Sequence, residues 1–499
     1  MFGVRVFRSV WNGGHSRAYS TSYDQLMCGL EIHVQLDTTK KLFSAARTSF
    51  HALPNSQVSY YDAALPGTQP TLNKHALYLA LKAATALDCD IHARSAWDRK
   101  HYFYGDQPAG YQITQHYHPL ANNGRLLLHK HDGEQQDDVS VRIAQIQIEQ
   151  DTGKSTYPPD STLAFIDLNR TNHPLIEIVT EPDICHPRTA GVFVRKLQTL
   201  LKHLKVSTGE LQSGAMRVDV NVSVRGGKRC EIKNLASIRD VTQAIEVEYN
   251  RQLAELAAGR PVESETRSWD GQNTWRLRSK ETTLEYRYMP DPELAPIILT
   301  PTLLTEVKKS LPELPDVILE KLMSPPHDII LKDARTLLSR GLVEYYMGTC
   351  SLLQSAGVRP KIAANWIANE ILGLVEDTDN SFTRKLSPQT LADVLVALDT
   401  KVITKENAKL LIEEYINNGE TDSVNDLIDR YDLRTNNTAL ESTCLEVIGK
   451  FPKEVNMFVS GKKPKIINFL VGQVMRLEYG KYDAKTTEAL LIELINKSK

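Results

Sequence analysis

The sequence predicts an α+β fold with an antiparallel sheet in the first half of the chain and an all-α fold in the second half. Between residues 23 and 297, short stretches of alternating polar and apolar residues are separated by Gly and Pro, as in strands with one buried face. From residue 298 onward, apolar residues recur at helical spacing. Because 499 residues exceed the size of a single hydrophobic core, several domains are expected.

Helix boundaries can be read from capping residues. "NKHALYLALKAATAL" begins with Asn73, and "SPQTLADVLVAL" begins with Ser387 followed by Pro388, which are favoured residues for a helix start. The stretches "DARTLLSRGLVEYYM" and "KIAANWIANEILGLV" also have helical spacing. We place domain boundaries near 297 and 405, which gives an α+β domain over 23–297, a helical domain over 298–405 and a helical tail over 406–499.

The composition excludes some classes of protein. A formal net charge of −2 argues against a globally basic nucleic-acid binder, although a local basic surface remains compatible with it. No stretch approaches the roughly 18 apolar residues that a membrane helix needs. The six cysteines are scattered, without a CxxC motif, which favours a reducing compartment and argues against a structural zinc site.

The N-terminal 22 residues differ from the rest of the chain. They contain Arg5, Arg8 and Arg17 together with several hydroxyl side chains, and the first acidic residue is Asp24. This composition resembles a mitochondrial transit peptide, and an ordinary mobile terminus is the alternative. We therefore expect residues 1–22 to be a transit peptide.

Several predicted strands carry charged residues on one face. In "GLEIHVQL", Glu31 and His33 point the same way because strand side chains alternate. In "AMRVDVNVSVR", valines alternate with polar residues that include Arg217 and Asp219. In "PLIEIVTE" and "CEIKN", the residues that alternate with isoleucine are Glu177, Glu231 and Lys233.

A change of parity marks one more strand. In "VSVRIAQIQIEQD", the apolar positions shift between Ile143 and Ile146, which predicts a β-bulge near residues 144–145. After this shift, Glu149 and Asp151 share a face. The sequence therefore predicts two neighbouring carboxylates at the end of this strand.

These polar faces have two interpretations. An antiparallel sheet with one solvated face gives polar alternation without any function. However, carboxylates, a histidine and arginines together are the groups that hold Mg²⁺ and a polyphosphate. If the strands are neighbours, Glu31, His33, Glu149 and Glu177 could form an oxygen-rich metal site.

Other nucleotide and nucleophile motifs are missing from the sequence. "DTGKS" at 151–155 imitates the end of a P-loop, but Ile148 stands where GxxxxGK[ST] requires its first glycine. Neither GxGxxG nor GxSxG occurs, and none of the cysteines lies in a recognisable nucleophile motif. The chain therefore has no evident means of hydrolysing an amide itself.

Ordered motifs along the chain resemble the GatB/GatE family, the B subunits of tRNA-dependent amidotransferases. The resemblance covers nearly all of the chain after residue 22. It is carried by "GLEIHVQL", "DRKHYFYGDQPAGYQITQ", "IEQDTGKS", "DLNRTNHPLIEIVTEPDI", "MRVDVNVSVR", "CEIKNLASIR", "EYRYMPDPEL" and, in a tail similar to YqeY-type proteins, "GKKPKIINFLVGQVMRLEYGK".

The resemblance implies a fold and a reaction. It implies a cradle-shaped α+β catalytic domain related to glutamine synthetase, a helical domain and a YqeY-like tail. It also implies that Mg²⁺ and ATP serve to phosphorylate the γ-carboxylate of glutamate esterified to tRNA(Gln), and that ammonia then displaces the phosphate.

The resemblance also implies partners and a location. The partners are an A-type amidase subunit, which supplies ammonia, a small third subunit that is C-type or a lineage-specific replacement, Glu-tRNA(Gln) and glutamyl-tRNA synthetase. The implied location is the mitochondrial matrix.

The resemblance assigns roles to residues as well. Glu31, His33, Glu149 and Glu177 match the metal site, with His33 either a ligand or a residue that orients one. Basic side chains would neutralise charge during phosphoryl transfer, although each could instead form an ordinary ion pair. The catalytic candidates are Glu31, His33, Lys100, Arg217 and Lys233, and the nucleotide-binding candidates are Arg99, Tyr102, Asp219 and Arg287. Tyr102, Tyr104 and Tyr111 could wall a pocket, line the ammonia route or pack as ordinary aromatics.

The chain departs from the family pattern at three places. Many relatives have zinc-binding cysteines near the positions of Ser44, Ala46, Ser59 and Asp62, so we expect no zinc. Others carry a second glutamate at the position of Gln150, which puts the charge of the metal site in doubt. A lysine is common at the position of Ala109, so this stretch has no basic group to bind phosphate or acid.

The tail carries a local positive charge. Residues 450–499 contain ten Lys or Arg against five acidic residues, which suits contact with a tRNA backbone, and a solvated helix surface is the alternative. We take Lys462, Lys463 and Lys465 as the tRNA-contacting candidates. A non-catalytic tRNA-binding scaffold and the amidation of Asp-tRNA(Asn) are the alternatives to the main functional prediction.

Overall fold

The structure is a computed structural model that divides the chain into two compact units, residues 1–312 and 313–499. It describes residues 23–49, 52–133, 137–158, 162–279, 285–375, 380–419, 421–435, 437–461, 463–477 and 481–497. The predicted transit peptide, residues 1–22, lies outside the described residues. The domain boundaries at 297 and 405 stay predictions.

The described part of the first unit contains sixteen strands. Their bounds are β1 Leu26–Gln35, β2 Asp90–Ile91, β3 Arg94–Ser95, β4 Asp98–His101, β5 Tyr111–Thr114, β6 Ala121–Leu128, β7 Val139–Gln150, β8 Lys154–Thr156, β9 Phe165–Asp167, β10 Pro174–Thr180, β11 Met216–Val224, β12 Cys230–Leu235, β13 Glu265–Trp269, β14 Thr274–Ser279, β15 Met289–Pro290 and β16 Ile297–Ile298. Nine of them form one sheet in the order β14-β13-β12-β11-β1-β10-β7-β6-β2. Its described pairs are antiparallel except for β12 and β13.

One face of this sheet forms the core of the first unit. Ile32, Val220 and Ile178, on three adjacent strands, are completely buried. Helices α2 (Pro187–His203) and α3 (Ile238–Ala257) pack against each other, with α3 against β11 and α2 against β6. Because strand side chains alternate, this burial leaves Glu31, His33 and their neighbours on the other face.

The predicted bulge is confirmed. Val179 of β10 pairs with Gln145 and Thr180 pairs with Ile143, so Ala144 is the extra residue in β7. Because of the bulge, the apolar residues that follow it face the core again. Ile146 and Ile148 are buried beside Ile178 and Ile176. Without it, Glu149 would belong to the apolar face.

A small sheet is joined to the polar face of the main sheet. It consists of β15, β4 and β5, and β5 packs against β7. Two further strand pairs are β3 with β16 and β8 with β9. Lys154 of the P-loop-like "DTGKS" begins strand β8 rather than a helix, which agrees with the exclusion of a P-loop.

Helix α1 (Lys74–Ala86) begins after Asn73, whose side chain accepts hydrogen bonds from the first turn, as predicted. Helix α4 (Pro301–Ser310) also belongs to the first unit and packs against α1, where Tyr78 donates a hydrogen bond to Ser310. The first helix after residue 298 therefore belongs to the first unit.

The regular secondary structure of the described residues in the second unit is helical. Its α-helices are α5 Pro315–Met323, α6 Leu331–Ser339, α7 Val343–Ser355, α8 Lys361–Asn365, α9 Leu372–Leu374, α10 Phe382–Lys385, α11 Pro388–Asp399, α12 Lys405–Glu413, α13 Val424–Arg430, α14 Asn437–Lys450, α15 Pro452–Val459, α16 Ile467–Leu477 and α17 Ala484–Lys497. π-helical turns follow α8 and α12, and a 3₁₀ turn precedes α16. One buried cluster comprises residues from Ile318 to Leu433, and another comprises residues from Leu440 to Ile495.

Two predicted helical stretches differ in detail from the structure. "DARTLLSRGLVEYYM" is broken into α6 and α7 at Gly341, whose φ of +66° favours glycine. "KIAANWIANEILGLV" contains a π-helical turn over Trp366–Ile371. Ser387 caps α11 with Pro388 in its first turn, as predicted.

The α+β first half and the helical second half are as predicted, whereas the likeness to glutamine synthetase stays a prediction. Among the described residues, none of the helices combines the length and the apolar character required to cross a bilayer.

Candidate metal centre

Three adjacent strands bring together a histidine and two glutamates. His33 of β1 pairs directly with Glu177 of β10, and β10 pairs in turn with β7, which carries Glu149. One ligand atom of each side chain lies within 4.8 Å of the others. We call His33, Glu149 and Glu177 the carboxylate–histidine cluster. Among the described residues, it is the group of at least three possible ligands that lie close enough together to hold one metal ion.

The environment of the cluster perturbs all three pKa values. Burial raises the pKa of Glu149 and of Glu177, although attraction to Lys100 opposes this for both carboxylates. Burial lowers the pKa of His33, while Glu149 opposes the change. A depressed histidine pKa favours the neutral imidazole, which is the form that can donate a lone pair to a metal.

Side-chain amides hold the two carboxylates. Gln112 of β5 donates from Nε2 to Glu149 Oε1 at 2.6 Å, and Gln147 donates to Glu177 Oε2. Glu149 Oε2 is buried and has no hydrogen bond of normal geometry among the described residues, although the Thr114 side chain beside Glu149 acts to lower the pKa of this carboxyl group. One oxygen of Glu149 is thus held by Gln112, whereas the other has no well-aligned donor among the described residues.

Sequence analysis missed both amides. The side of the sheet on which Gln147 lies could have been predicted from the sequence, because Gln147 alternates with Ile146 and Ile148 after the bulge. Gln112 could not be found in this way, because its strand belongs to a different sheet.

Lys100 lies over the cluster on the small sheet. Although burial by itself disfavours its charge, attraction to Glu149, Tyr288 and Glu177 raises the pKa of Lys100 above its usual range. Its Nζ also lies 5.0 Å from the ring centre of Tyr286. The predicted basic residue is therefore a charged neighbour of the two carboxylates.

Glu31 lies beside the cluster without being one of its three members. It precedes His33 on the same face of β1, and its Oε1 accepts a hydrogen bond from Asn221 at 2.9 Å. Its charge contributes to raising the pKa of Glu177. Of the four predicted metal ligands, His33, Glu149 and Glu177 thus have ligand atoms close enough together to bind one ion. Glu31 is not one of this group and acts on Glu177 through its charge.

Three predicted residues of β11 and β12 form ion pairs. Arg217, opposite His33 in the sheet, binds the buried Asp151 at 3.0 Å. Lys233 contacts Asp219 at 3.0 Å and Glu231 at 2.7 Å. Asp219 also accepts a hydrogen bond from the backbone of Asn234, so its carboxylate is engaged by the protein.

The predicted nucleotide-binding residues lie at different places. Arg99 pairs with Asp291 at 2.7 Å and lies over the ring of Tyr111 at 4.2 Å. Tyr102 is close to Glu149, whose charge, after burial, raises the pKa of the Tyr102 phenol. Arg287 is exposed. Tyr102 is thus near the carboxylate–histidine cluster, whereas Arg99 belongs to another cavity.

Two cavities of the first unit contain predicted site residues in their walls. The first has a volume of about 410 Å³ and is lined by cationic side chains that include Lys154, Arg170 and Arg217. The second has a volume of about 240 Å³ and contains Arg99, Tyr111 and Gln150 in its wall.

Gln150 does not replace a member of the cluster. It follows Glu149 in β7 and therefore points to the opposite side of the strand, into the second cavity. The neutral amide at position 150 thus leaves both carboxylates of the cluster in place.

The predicted tRNA contacts lie in the tail. Lys463 and Lys465 are exposed beside the 3₁₀ turn Pro464–Ile466. Lys462 lies outside the described residues.

Comparisons with known proteins agree with the motifs. Residues 26–305 match the model of the GatB/GatE catalytic domain, and residues 351–495 match that of the GatB domain associated with YqeY. The chain is 45% identical over 482 residues to the mitochondrial B subunit of the glutamyl-tRNA(Gln) amidotransferase of Scheffersomyces stipitis, covering 94% of this chain and 95% of that protein. Proteins of the same description from Komagataella phaffii and Yarrowia lipolytica are 44% and 43% identical, with coverage of 95% and 98% of this chain and 99% and 97% of theirs. The chain therefore belongs to the GatB/GatE family.

Proposed function

We propose that the chain is the B subunit of a mitochondrial amidotransferase that forms Gln-tRNA(Gln) from misacylated Glu-tRNA(Gln). In this proposal the γ-carboxylate of the tRNA-bound glutamate is phosphorylated at the expense of ATP, and ammonia displaces the phosphate. The family membership and the names of the relatives support the overall reaction. The observation that carries the catalytic assignment is the carboxylate–histidine cluster beneath Lys100.

The cluster has the donor set that a divalent cation requires. Two carboxylates and a neutral imidazole face one another, and the buried Glu149 Oε2 has no well-aligned hydrogen-bond donor among the described residues. His33, Glu149 and Glu177 would hold Mg²⁺, with Glu31 adding negative charge at the edge. The bound cation would neutralise phosphate oxygens during transfer.

The residues of the chain then have distinct roles. Lys100 lies close enough to the carboxylates to stabilise charge on the transferred phosphoryl group. Arg217 links the cluster to the cavity of about 410 Å³, since it pairs with His33 across the sheet and also lines that cavity. This volume falls within the range typical of small-molecule sites. Lys154, Arg170 and Arg217 outnumber Asp167 in the wall, and a triphosphate would compete with Asp151 for the two guanidinium groups that pair with it.

The ion pairs of the other candidates suggest supporting roles. Lys233 and Asp219 fix each other on the polar face, so we assign them to positioning of the strands around Glu31. Arg99 is engaged by Asp291, Glu293 and Tyr111, so its contribution to nucleotide binding would require it to leave these partners.

The remaining parts of the proposal concern assembly. A partner amidase would supply ammonia, and a small third subunit would complete a heterotrimer. Glutamyl-tRNA synthetase would deliver the substrate. We also propose that residues 1–22 are a transit peptide, that 23–297 form a glutamine synthetase-like cradle, and that 298–405 and 406–499 form the helical domain and the tRNA-contacting tail through Lys462, Lys463 and Lys465.

The test is the conversion of labelled Glu-tRNA(Gln) by the complex copurified with a tagged chain. Mg-ATP and ammonium chloride replace glutamine, so that the amidase is bypassed. Glu149→Gln keeps the shape of the side chain and the acceptor for Gln112, but removes the charge. We expect it to abolish Gln-tRNA formation while the complex remains assembled and retains tRNA.

Glu181→Gln is the matched control, because Glu181 follows directly after the end of β10 and is not a member of the carboxylate–histidine cluster. It should convert Glu-tRNA(Gln) at the wild-type rate. If Glu149→Gln also converts normally, the chain is a tRNA-binding scaffold and the catalytic site lies elsewhere in the complex. If the wild type accepts Asp-tRNA(Asn) in preference to Glu-tRNA(Gln), the proposed substrate is wrong.

A further inference from the structure

Four aromatic side chains form a continuous set of contacting rings beside the small sheet. Tyr286 and Tyr288 come just before β15, and their ring centres lie 5.9 Å apart. The ring of Tyr288 stacks on His116, with centres 3.8 Å apart and planes inclined by 8°. Tyr117 contacts His116 edge to face at 4.8 Å. We call Tyr286, Tyr288, His116 and Tyr117 the ring series.

The inner end of the ring series lies at the proposed reaction centre. Lys100 Nζ is 5.0 Å from the ring centre of Tyr286. Burial, together with the charges of Glu149 and Glu177, raises the pKa of the Tyr288 phenol to about 12, although Lys100 opposes this change. Because charges act on a phenol in this way only at short range, Tyr288 lies close to the carboxylate–histidine cluster.

The outer end of the ring series is open to solvent. Tyr117 is 55% exposed, and Met289, which follows Tyr288, is 43% exposed. His116 is exposed as well. Large aromatic side chains usually bury their rings, and grouped exposed apolar side chains mark binding surfaces. The ring series thus leads from the cluster to the surface of the first unit.

Arg287 adds a positive charge between the two tyrosines of the inner end. Its φ of +45° is unfavourable for a residue with a β-carbon. Two hydrogen bonds hold this conformation, because the amide of His101 donates to the carbonyl of Tyr286 at 2.8 Å and its Nδ1 donates to that of Arg287 at 2.9 Å. The exposed guanidinium has no ion pair with the residues that the structure describes. An unfavourable backbone held around an unpaired cation is typical of a binding site.

These features suit a single-stranded nucleic acid. Bases stack on aromatic rings, and an arginine beside the rings can bind a backbone phosphate. In the proposed reaction, glutamate is esterified to the 3′ end of a tRNA, where the last nucleotides are unpaired. A strand that carries glutamate into the cluster must cross the surface that borders it. Four contacting rings also offer more stacking surface than the single adenine of ATP can cover.

We propose that the ring series and Arg287 form a stacking platform for the unpaired 3′ end of the tRNA substrate. Bases near this end stack on Tyr117 and its neighbours, while Arg287 binds a backbone phosphate. Tyr288 is then a positioning residue, because it places the terminal nucleotide beside Lys100 and the cluster. The inference rests on the proposed function, since it takes tRNA as the occupant, but its tests separate the two.

The first test detects stacking without the reaction. Uncharged tRNA(Gln) with 2-aminopurine as its 3′-terminal base is bound to the complex copurified with a tagged chain, and its fluorescence is recorded without ATP. Stacking quenches this base, so the wild type should lower the emission. Tyr288→Leu keeps apolar bulk without a ring and should lose the quenching, whereas Tyr288→Phe should retain it. Equal quenching by the Leu and Phe variants would overturn the proposal.

Tyr117 allows a kinetic test at an exposed position, where a substitution has little effect on folding. Tyr117→Leu should raise the KM for Glu-tRNA(Gln) by about tenfold, as expected for the loss of one base–aromatic stack, with the KM for ATP unchanged. Tyr117→Phe should behave as the wild type. The matched control is Tyr157→Leu, since Tyr157 is 73% exposed and lies outside the ring series. If the KM for ATP rises instead, the rings bind the base of ATP and the proposal is wrong.

Arg287→Gln tests the phosphate contact. Loss of one contact with a single strand should reduce the slope of log tRNA affinity against log salt by about 0.7. Arg287→Lys keeps the charge and should keep the slope. An unchanged slope in the Gln variant would contradict the proposal.

Two patterns of results separate this inference from the proposed function. If the wild type quenches 2-aminopurine but does not convert Glu-tRNA(Gln), the platform stands and the reaction is wrong. If the wild type converts Glu-tRNA(Gln) without quenching, the reaction stands and the platform is wrong.

Discussion

Replacement of Glu177 by Gln should stabilise the cation-free protein while removing its response to Mg²⁺. Ligand atoms of Glu149 and Glu177 lie within 4.8 Å, and two unit charges at that separation repel by roughly 3.5 kcal/mol at an effective dielectric constant of about 20. The lost attraction to Lys100 offsets part of this repulsion. We therefore expect Glu177→Gln to raise the free energy of unfolding by about 1–2 kcal/mol without a divalent cation.

The response to Mg²⁺ should change in the opposite direction. A cation present at 100 times its Kd stabilises the native wild type by about 2.7 kcal/mol, and loss of an anionic ligand should weaken binding at least about tenfold. The assay is chemical denaturation of the complex with and without Mg²⁺, with Glu181→Gln as the control. A variant that is less stable than the wild type and still gains the full Mg²⁺ increment would refute this electrostatic account of the cluster.

The sign of the pH dependence follows from the raised pKa of Glu149 and Glu177. In the folded protein these groups bind protons at a pH where they would be ionised in the unfolded chain. Their protonation therefore stabilises the fold below the unfolded pKa of about 4.3, and this contribution is lost as the pH rises through the folded values. The advantage of Glu177→Gln should accordingly grow with pH and shrink in acid.

Three further predictions concern other parts of the chain. Asp62→Asn should lower the free energy of unfolding by about 3–5 kcal/mol in denaturant titrations, because it leaves the fully buried Lys41 without its ion-pair partner. Asp183→Asn, at a more exposed ion pair, should lower it by no more than about 1 kcal/mol. Equal losses in the two variants would contradict this prediction. Burial lowers the pKa of His173 to about 4, so folding stability should fall as the pH decreases from about 6.5 toward that value, and His173→Gln should flatten this part of the pH profile. Lys463→Ala combined with Lys465→Ala should weaken tRNA binding and reduce the slope of log affinity against log salt by about 1 or more, while an unchanged slope would remove these lysines from the interface.

The polar face of the sheet shows how far sequence patterns reach. The alternation in "GLEIHVQL" and "PLIEIVTE" was sufficient to predict that His33 and Glu177 point away from the core, because a strand side chain has only two directions. The parity shift in β7 also predicted a bulge near residues 144–145, where the structure has Ala144 as the extra residue, and thereby placed Glu149 on the same face. These inferences needed only local geometry and the burial of apolar residues.

The partners of each charged side chain could not be predicted in the same way. Arg217 and Lys233 satisfy nearby carboxylates, whereas Lys100 lies over the cluster from a separate sheet. All three have similar polar surroundings in the sequence. Their difference arises from strand order and sheet packing, which depend on contacts between residues far apart in the chain.

The sequence by itself therefore determined the two fold classes, the family and the face on which the candidate ligands lie. The reason is that backbone periodicity and burial act over a few residues and leave a readable pattern. Only the tertiary structure decided that His33, Glu149 and Glu177 converge while Glu31 lies beside them, and that Gln150 faces a second cavity with Gln107, Thr171 and Asn172. Convergence of this kind depends on which strands become neighbours, and that choice is made by the packing of the whole unit.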